Sequence, residues 1–174
     1  MKELKYTIKN KKPFNVIGYT DIFTYVEGHE NYECITQKWA NLSEEKMQKL
    51  FPLMNGFVQS FLGVSGHIDD THFQYVIAVS TDVAESEEFH ITKIPEMNWL
   101  ILPCIGAISS NQENESFGTD SSAMVILKNR VLGGWLDENN FVHANYPRVE
   151  IYPQGDMTSK DYVSELWIPI ERVQ

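Results

Sequence analysis

Glu150, Tyr152, Glu165 and Trp167 fall within one stretch near the C-terminus, RVEIYPQGDMTSKDYVSELWIPI, residues 148–170. Val149 and Ile151, then Leu166, Ile168 and Ile170, alternate with them, the period-two pattern of strands with two unlike faces. Pro153, Gly155 and Asp156 supply turn chemistry between the two runs. The stretch therefore reads as a β-hairpin, with Glu150, Tyr152, Glu165 and Trp167 expected on one face. A carboxylate flanked by aromatic rings admits two readings. One is a solvated strand face, because charged side chains are seldom buried. The other is a ligand pocket floored by the sheet, with one acid as its polar anchor. A carboxylate in a dry site is costly unless it is paired. A lipophilic cation would supply the missing charge, and each aromatic face attracts a cation by about 0.5–2 kcal/mol. Such a site selects by charge and shape, with little hydrogen-bond discrimination, so its specificity is broad.

Other chemistry finds little footing. His29, His67, His72, His90 and His143 are scattered without an HExxH pattern, and no metal site is expected. Cys34 and Cys104 lie far apart without a CxxC pattern, which argues against a disulfide framework and for a reducing, cytoplasmic home. There is no GxSxG and no Ser-His-Asp arrangement, and no cofactor is called for. The 174 residues carry a net charge of −10, which disfavours nucleic acid as a direct partner because phosphate binding needs clustered Lys and Arg. Lys2, Lys5, Lys9, Lys11 and Lys12 do cluster, but their spacing suits a solvated strand edge. The opening MKELKYTIKN lacks the apolar region of a secretory leader. No segment approaches the roughly 20 apolar residues of a membrane span.

The elements that must position these residues follow from periodicity. Residues 6–23 read as one or two strands, with Gly18 marking a bulge or a close backbone approach. Residues 27–37 are polar and read as a loop. Residues 38–62 read as helical, starting at a capping-box-like Asn41 and Glu44, with an apolar face of Met47, Leu50, Phe51, Met54, Phe57, Val58 and Phe61 that Pro52 should kink or divide. Residues 63–71 read as a loop and 72–83 as a strand. Strands are expected over 89–94 and 98–108, then a polar loop over 109–118. A helix capped by Thr119 or Asp120 should run to about Leu136 on the spacing of Met124, Leu127, Val131 and Trp135. Gly133 and Gly134 should weaken its end by about 1 kcal/mol each. The order of elements repeats: an α+β fold of two β-α-β-β modules, about residues 1–88 and 89–174, in a single domain with a ligand cleft at the junction.

Four pieces of the second half carry a resemblance: Ile94-Pro95 leading to Trp99 and Gly106, the helix end Gly134-Trp135-Leu136, VEIYP at 149–153, and SELWIPI at 164–170. In this order and spacing they resemble the GyrI-like small-molecule-binding family, the effector-binding domain of AraC-type and MerR-type activators. Pro13 to Gly18 and Phe73 to Val79 agree more loosely. The resemblance implies two modules about a pseudo-twofold, forming a concave antiparallel sheet backed by two helices. It implies binding of hydrophobic, often cationic, small molecules. The acid at the base of the pocket carries over onto Glu150 and its neighbour onto Tyr152. Trp135, Trp99 and Trp167 become candidate walls, and Tyr146 and Tyr19 are added for their nearness to the motifs. Glu165 matches a family position but serves equally as a structural carboxylate. Many relatives carry an N-terminal helix-turn-helix; the family-like region here begins almost at Met1, so a stand-alone module is expected, with a protein partner left open. Two alternatives accompany the binding reading. Some relatives hydrolyse strained cyclopropane-bearing molecules, and Glu150 would then be the general base on a water. Founding members inhibit DNA gyrase, and an acidic surface could serve that role.

Overall fold

The computed structural model describes residues 3–109 and 122–171. Nine strands form one antiparallel sheet: β1 (Thr7–Lys11), β2 (Phe14–Thr24), β3 (Phe61–His67), β4 (His72–Thr81), β5 (His90–Ile94), β6 (Met97–Ile105), β7 (Val142–His143), β8 (Arg148–Tyr152) and β9 (Val163–Glu171). Their order is β1-β6-β9-β8-β3-β4-β2-β5, with β7 added beside β9. The same order of elements occurs twice along the chain: β2, helices, β3, β4, then β6, helix, β8, β9. β3 and β8 pair in the middle of the strand order, and there Gly63 stands opposite Glu150.

One ladder ties the outer edges of the sheet together. Thr7 pairs with Ile101 and Lys11 with Met97; past the bends at Pro13 and Pro95 the same register resumes, with Phe14 opposite Ile94 and Gly18 opposite His90. The sheet therefore curls, and its inner face closes over a dry core. Val16, Leu62, Val64, Val76, Ala78, Trp99, Ile101, Val149, Ile151 and Trp167 fill it. Gly18 does mark a close approach: a Cβ there would sit 1.9 Å from the carbonyl oxygen of Ile77 on β4.

The other face carries the helices: α1 (Tyr32–Ala40), α2 (Glu44–Leu50) and α3 (Ala123–Arg130), the last running on through a wide turn, Val131–Trp135, to Leu136–Glu138. Three of these assignments differ from the sequence reading. The polar stretch 27–37 holds most of α1, capped by the Asn31 side chain accepting from the Cys34 N–H at 3.2 Å. Asn41 ends α1, and it is Ser43 that caps α2, accepting from the Lys46 N–H. The apolar stripe 47–61 is divided: Pro52 lies in a short 3-10 turn, and Phe61 opens β3, a strand where a loop was expected. Thr119, Asp120 and most of the loop 109–118 lie outside the described residues. Gly134 has φ +146°, so the wide turn bends the end of the helix before its last turn.

Candidate functional site

The faces of the hairpin are set by its register. Glu150 stands opposite Leu166, and Val149 opposite Trp167. Paired residues of an antiparallel ladder share a face, so Glu150 and Tyr152 point to the helices while Glu165 and Trp167 point the other way. The expectation that all four share one face is corrected accordingly. On the helix side Glu150 and Tyr152 form the floor of a cavity of about 430 Å³. One wall is α1, through Tyr32, Ile35, Thr36 and Trp39, which recur at helical spacing on a single face. The opposite wall is α3, through Met124, Val125 and Lys128; Ile108 and Met157 close the end. The rings of Trp39 and Tyr152 meet edge to face at 5.3 Å.

The floor is a hydrogen-bonded network in which both carboxylates and the ammonium are paired. Oε1 of Glu150 accepts from the hydroxyls of Tyr152 at 2.5 Å and Tyr75 at 3.2 Å, and the Tyr75 oxygen accepts from the indole N–H of Trp39 at 2.8 Å. Oε2 of Glu150 accepts from the Lys128 ammonium at 2.7 Å. Lys128 also donates to Oε2 of Glu30 at 2.9 Å, and its ammonium lies 5.6 Å from the centre of the Tyr32 ring. Glu30 in turn accepts from Arg148 and from the Ser65 hydroxyl. Two acids and two bases thus balance. Glu30, Glu150 and Lys128 are each at most 4% exposed. A buried charge persists only when paired and hydrogen-bonded. Burial pushes the Glu30 carboxyl upward, but Lys128 and Arg148 more than offset this and hold it at about 2. Burial also pulls Lys128 down, and the charges of Glu150 and Glu30 reverse that, leaving it above its ordinary value. Tyr75 and Tyr152 are pushed well above theirs, by burial first and then by the Glu150 charge. Both phenols are therefore neutral donors to the carboxylate.

Gly63 makes this floor possible. A Cβ at that position would lie 2.1 Å from the Tyr75 oxygen and 3.2 Å from Oε1 of Glu150. The bare Cα is the space through which the Tyr75 hydroxyl reaches Glu150 across β3.

Of the seven residues singled out from the sequence, Glu150 and Tyr152 meet in the cavity. The others lie elsewhere. Trp99 and Trp167 pack together on the far side of the sheet, ring centres 5.8 Å apart, with Lys11 over Trp167 and the Trp167 N–H donated to Glu165. Trp135 stacks on Phe141 and meets Tyr6 edge-on, two turns beyond Lys128. Tyr146 is 48% exposed. Tyr19 is on β2, its hydroxyl donating to the Lys46 carbonyl. The residues not anticipated are Tyr32, Trp39, Gly63, Tyr75, Glu30 and Lys128. The clearest signal among them was Lys128, four residues after Met124 on the apolar face of α3. Among the described residues no group of three or more His, Cys, Asp or Glu could hold a metal ion, and no helix is long and apolar enough to cross a membrane.

The fold is shared with solved structures. SAV2435, solved bound to tetraphenylphosphonium, superposes with a TM-score of 0.76 at 18% identity, covering 97% of this chain and 94% of that one. A putative bacterial transcription regulation protein from Staphylococcus aureus gives 0.74 at 18% identity, with 98% and 100% covered. The EcmrR C-terminal domain gives 0.59 at 13%, with 98% and 99% covered. At these identities the likeness is one of fold. No curated protein matches in sequence. The sequence profile of the GyrI-like small molecule binding domain, however, spans residues 4–171, nearly the whole chain, and the protein belongs to that family.

Proposed function

We propose that this protein binds hydrophobic small molecules in the cavity between α1 and α3, with Glu150 at its floor and both halves acting as one domain around it. The observation that carries the reading is the cavity itself: about 430 Å³, walled by Tyr32, Ile35, Trp39, Met124 and Val125, with a few convergent polar groups at one end. Apolar concave sites with a few placed polar atoms are the usual form of small-molecule sites. Its walls come from both halves of the chain, α1 from the first and α3 and β8 from the second. The neighbour SAV2435 was solved with tetraphenylphosphonium, a ring-rich cation, which makes that compound the first probe to use. Binding is favoured over hydrolysis by the state of Glu150. A general base must take a proton from water, whereas this carboxylate already accepts from two phenols and an ammonium.

The test is a calorimetric titration of tetraphenylphosphonium into the wild-type protein and Thr36→Trp. Thr36 is exposed on α1 and lines the cavity, so an indole there fills the mouth and leaves the floor intact. Thr36→Trp should weaken binding by about tenfold or more, roughly 1.4 kcal/mol, with an unchanged denaturation midpoint. Equal affinity in the two proteins would put the ligand elsewhere. A wild-type protein that binds no ring-rich probe would end the reading.

A further inference from the structure

Among the described residues that line the cavity, Glu150 and Lys128 are the only two that carry a charge. They are paired with each other at 2.7 Å, and both are at least 97% buried. Lys128 is placed on α3 between Glu150 of β8 and Glu30, which is held from outside by Arg148. The position that a ligand cation would take against the acid is therefore occupied by a side chain of the protein. A carboxylate offers about four acceptor positions, and three of those on Glu150 are used. An incoming cation could reach only what remains, and would do so beside a like charge in a site where water screens little.

We infer that Lys128 is a built-in counter-ion that fixes the ligand class of this cavity: uncharged, ring-rich molecules that leave the Lys128–Glu150 pair in place. This rests on the binding reading above and refines it. Apolar walls reward a neutral ring system in full, because its burial needs no charge to be stripped of water. A lipophilic cation gains the same burial but finds the acid satisfied. Lipophilic ions of the two signs are then treated nearly alike, since the floor they meet has no net charge.

The experiment uses three probes of related shape: tetraphenylphosphonium, tetraphenylborate and uncharged triphenylphosphine oxide. Each is titrated into the wild-type protein, Lys128→Met and Glu150→Gln at physiological salt, where distant surface charge is screened within about 8 Å. The wild type should bind the neutral probe at least as tightly as either ion and should separate the two ions by less than about tenfold. Lys128→Met uncovers the acid and should move the cation-to-anion preference by about tenfold or more toward the cation; Glu150→Gln uncovers the base and should move it as far toward the anion. Where Lys128→Met does not fold, the wild-type ratio and Glu150→Gln still decide. A wild type that prefers the cation over both other probes by more than about tenfold, or two variants that leave the ratio where it was, would overturn the counter-ion role while leaving the binding reading standing. Absence of binding by all three probes would overturn both.

Discussion

The two faces of the β8–β9 hairpin are built from the same kinds of residue and do opposite things. On the inner face Trp167 meets Trp99, Val149 and Ile151 and the space is filled. On the helix face Tyr152, Tyr75 and Trp39 surround an acid, and the space is not filled. What separates them is the charge. Aromatic rings without a buried charge can close on one another and reach crystal-like density. Rings tied by hydroxyl and indole hydrogens to Glu150 are held at fixed positions, and the volume between α1 and α3 stays open. The polar network sets the shape of the cavity before any ligand arrives, which is preorganisation.

This contrast can be broken most severely at its two extremes. Trp99→Ala removes a fully buried indole from the filled face and should cost about 3–5 kcal/mol through lost burial and a residual void. Lys128→Met removes one charge from the buried quartet and should cost a similar 3–5 kcal/mol for a different reason, two carboxylates left short of a partner. Urea denaturation measures both. The difference appears in the ligand assays: Trp99→Ala should leave probe affinities as they are, and Lys128→Met should change them. A Lys128→Met protein as stable as the wild type would mean that the quartet is not a closed unit. A smaller effect is expected at Gly63. Gly63→Ala drives a methyl into the Tyr75 hydroxyl and should cost about 1–3 kcal/mol by overpacking. Adding Tyr75→Phe takes away the atom it meets first, so the double variant should recover part of that loss, with a coupling that a double-mutant cycle reads directly. Strict additivity would dissociate Gly63 from the floor.

How much of this was legible beforehand depends on which physical constraint acted. The hairpin was readable because alternation over Val149–Tyr152 and Leu166–Ile170 is strict. The match of faces between its strands was not. The connection spans residues 153–162, and a one-residue slip in pairing carries every side chain to the other face; nothing in the alternation of either strand fixes that slip. The observed pairing of Trp167 with Val149 differs by this one step from a pairing that would put it beside Glu150. β3 was hidden by Gly63 and Gly66, which lower strand propensity for the very reason that one of them admits Tyr75 to Glu150. α1 was hidden because its cavity face, Tyr32, Ile35, Thr36 and Trp39, is interleaved with polar residues on the solvent side. Lys128 was visible as a position on the apolar stripe of α3, but its partner Glu30 lies 98 residues away. Only the fold brings the two together, so the lysine's meaning could not be read from its own helix.

The mildest test leaves neutral conditions untouched and asks only about acid. Glu30 holds its proton at about 2 in the folded protein against 4.5 ordinarily, because Lys128 and Arg148 more than offset its burial. A carboxyl lowered by folding stabilises the native state fully above its unfolded value and loses that contribution as pH falls through the folded one. Stability attributable to Glu30 should therefore be constant above pH 4.5 and decline toward pH 2. Asp69 also sits at about 2, but through hydrogen bonds, chiefly from Thr71 and then from His72, that outweigh the desolvation opposing them in an exposed turn. Denaturation midpoints across this window should thus fall less steeply in Glu30→Gln than in the wild type, while Trp99→Ala keeps the wild-type slope at a lower midpoint. Identical slopes in Glu30→Gln and the wild type would show that the acid response of the protein arises outside the quartet, and would remove the electrostatic distinction between the two faces.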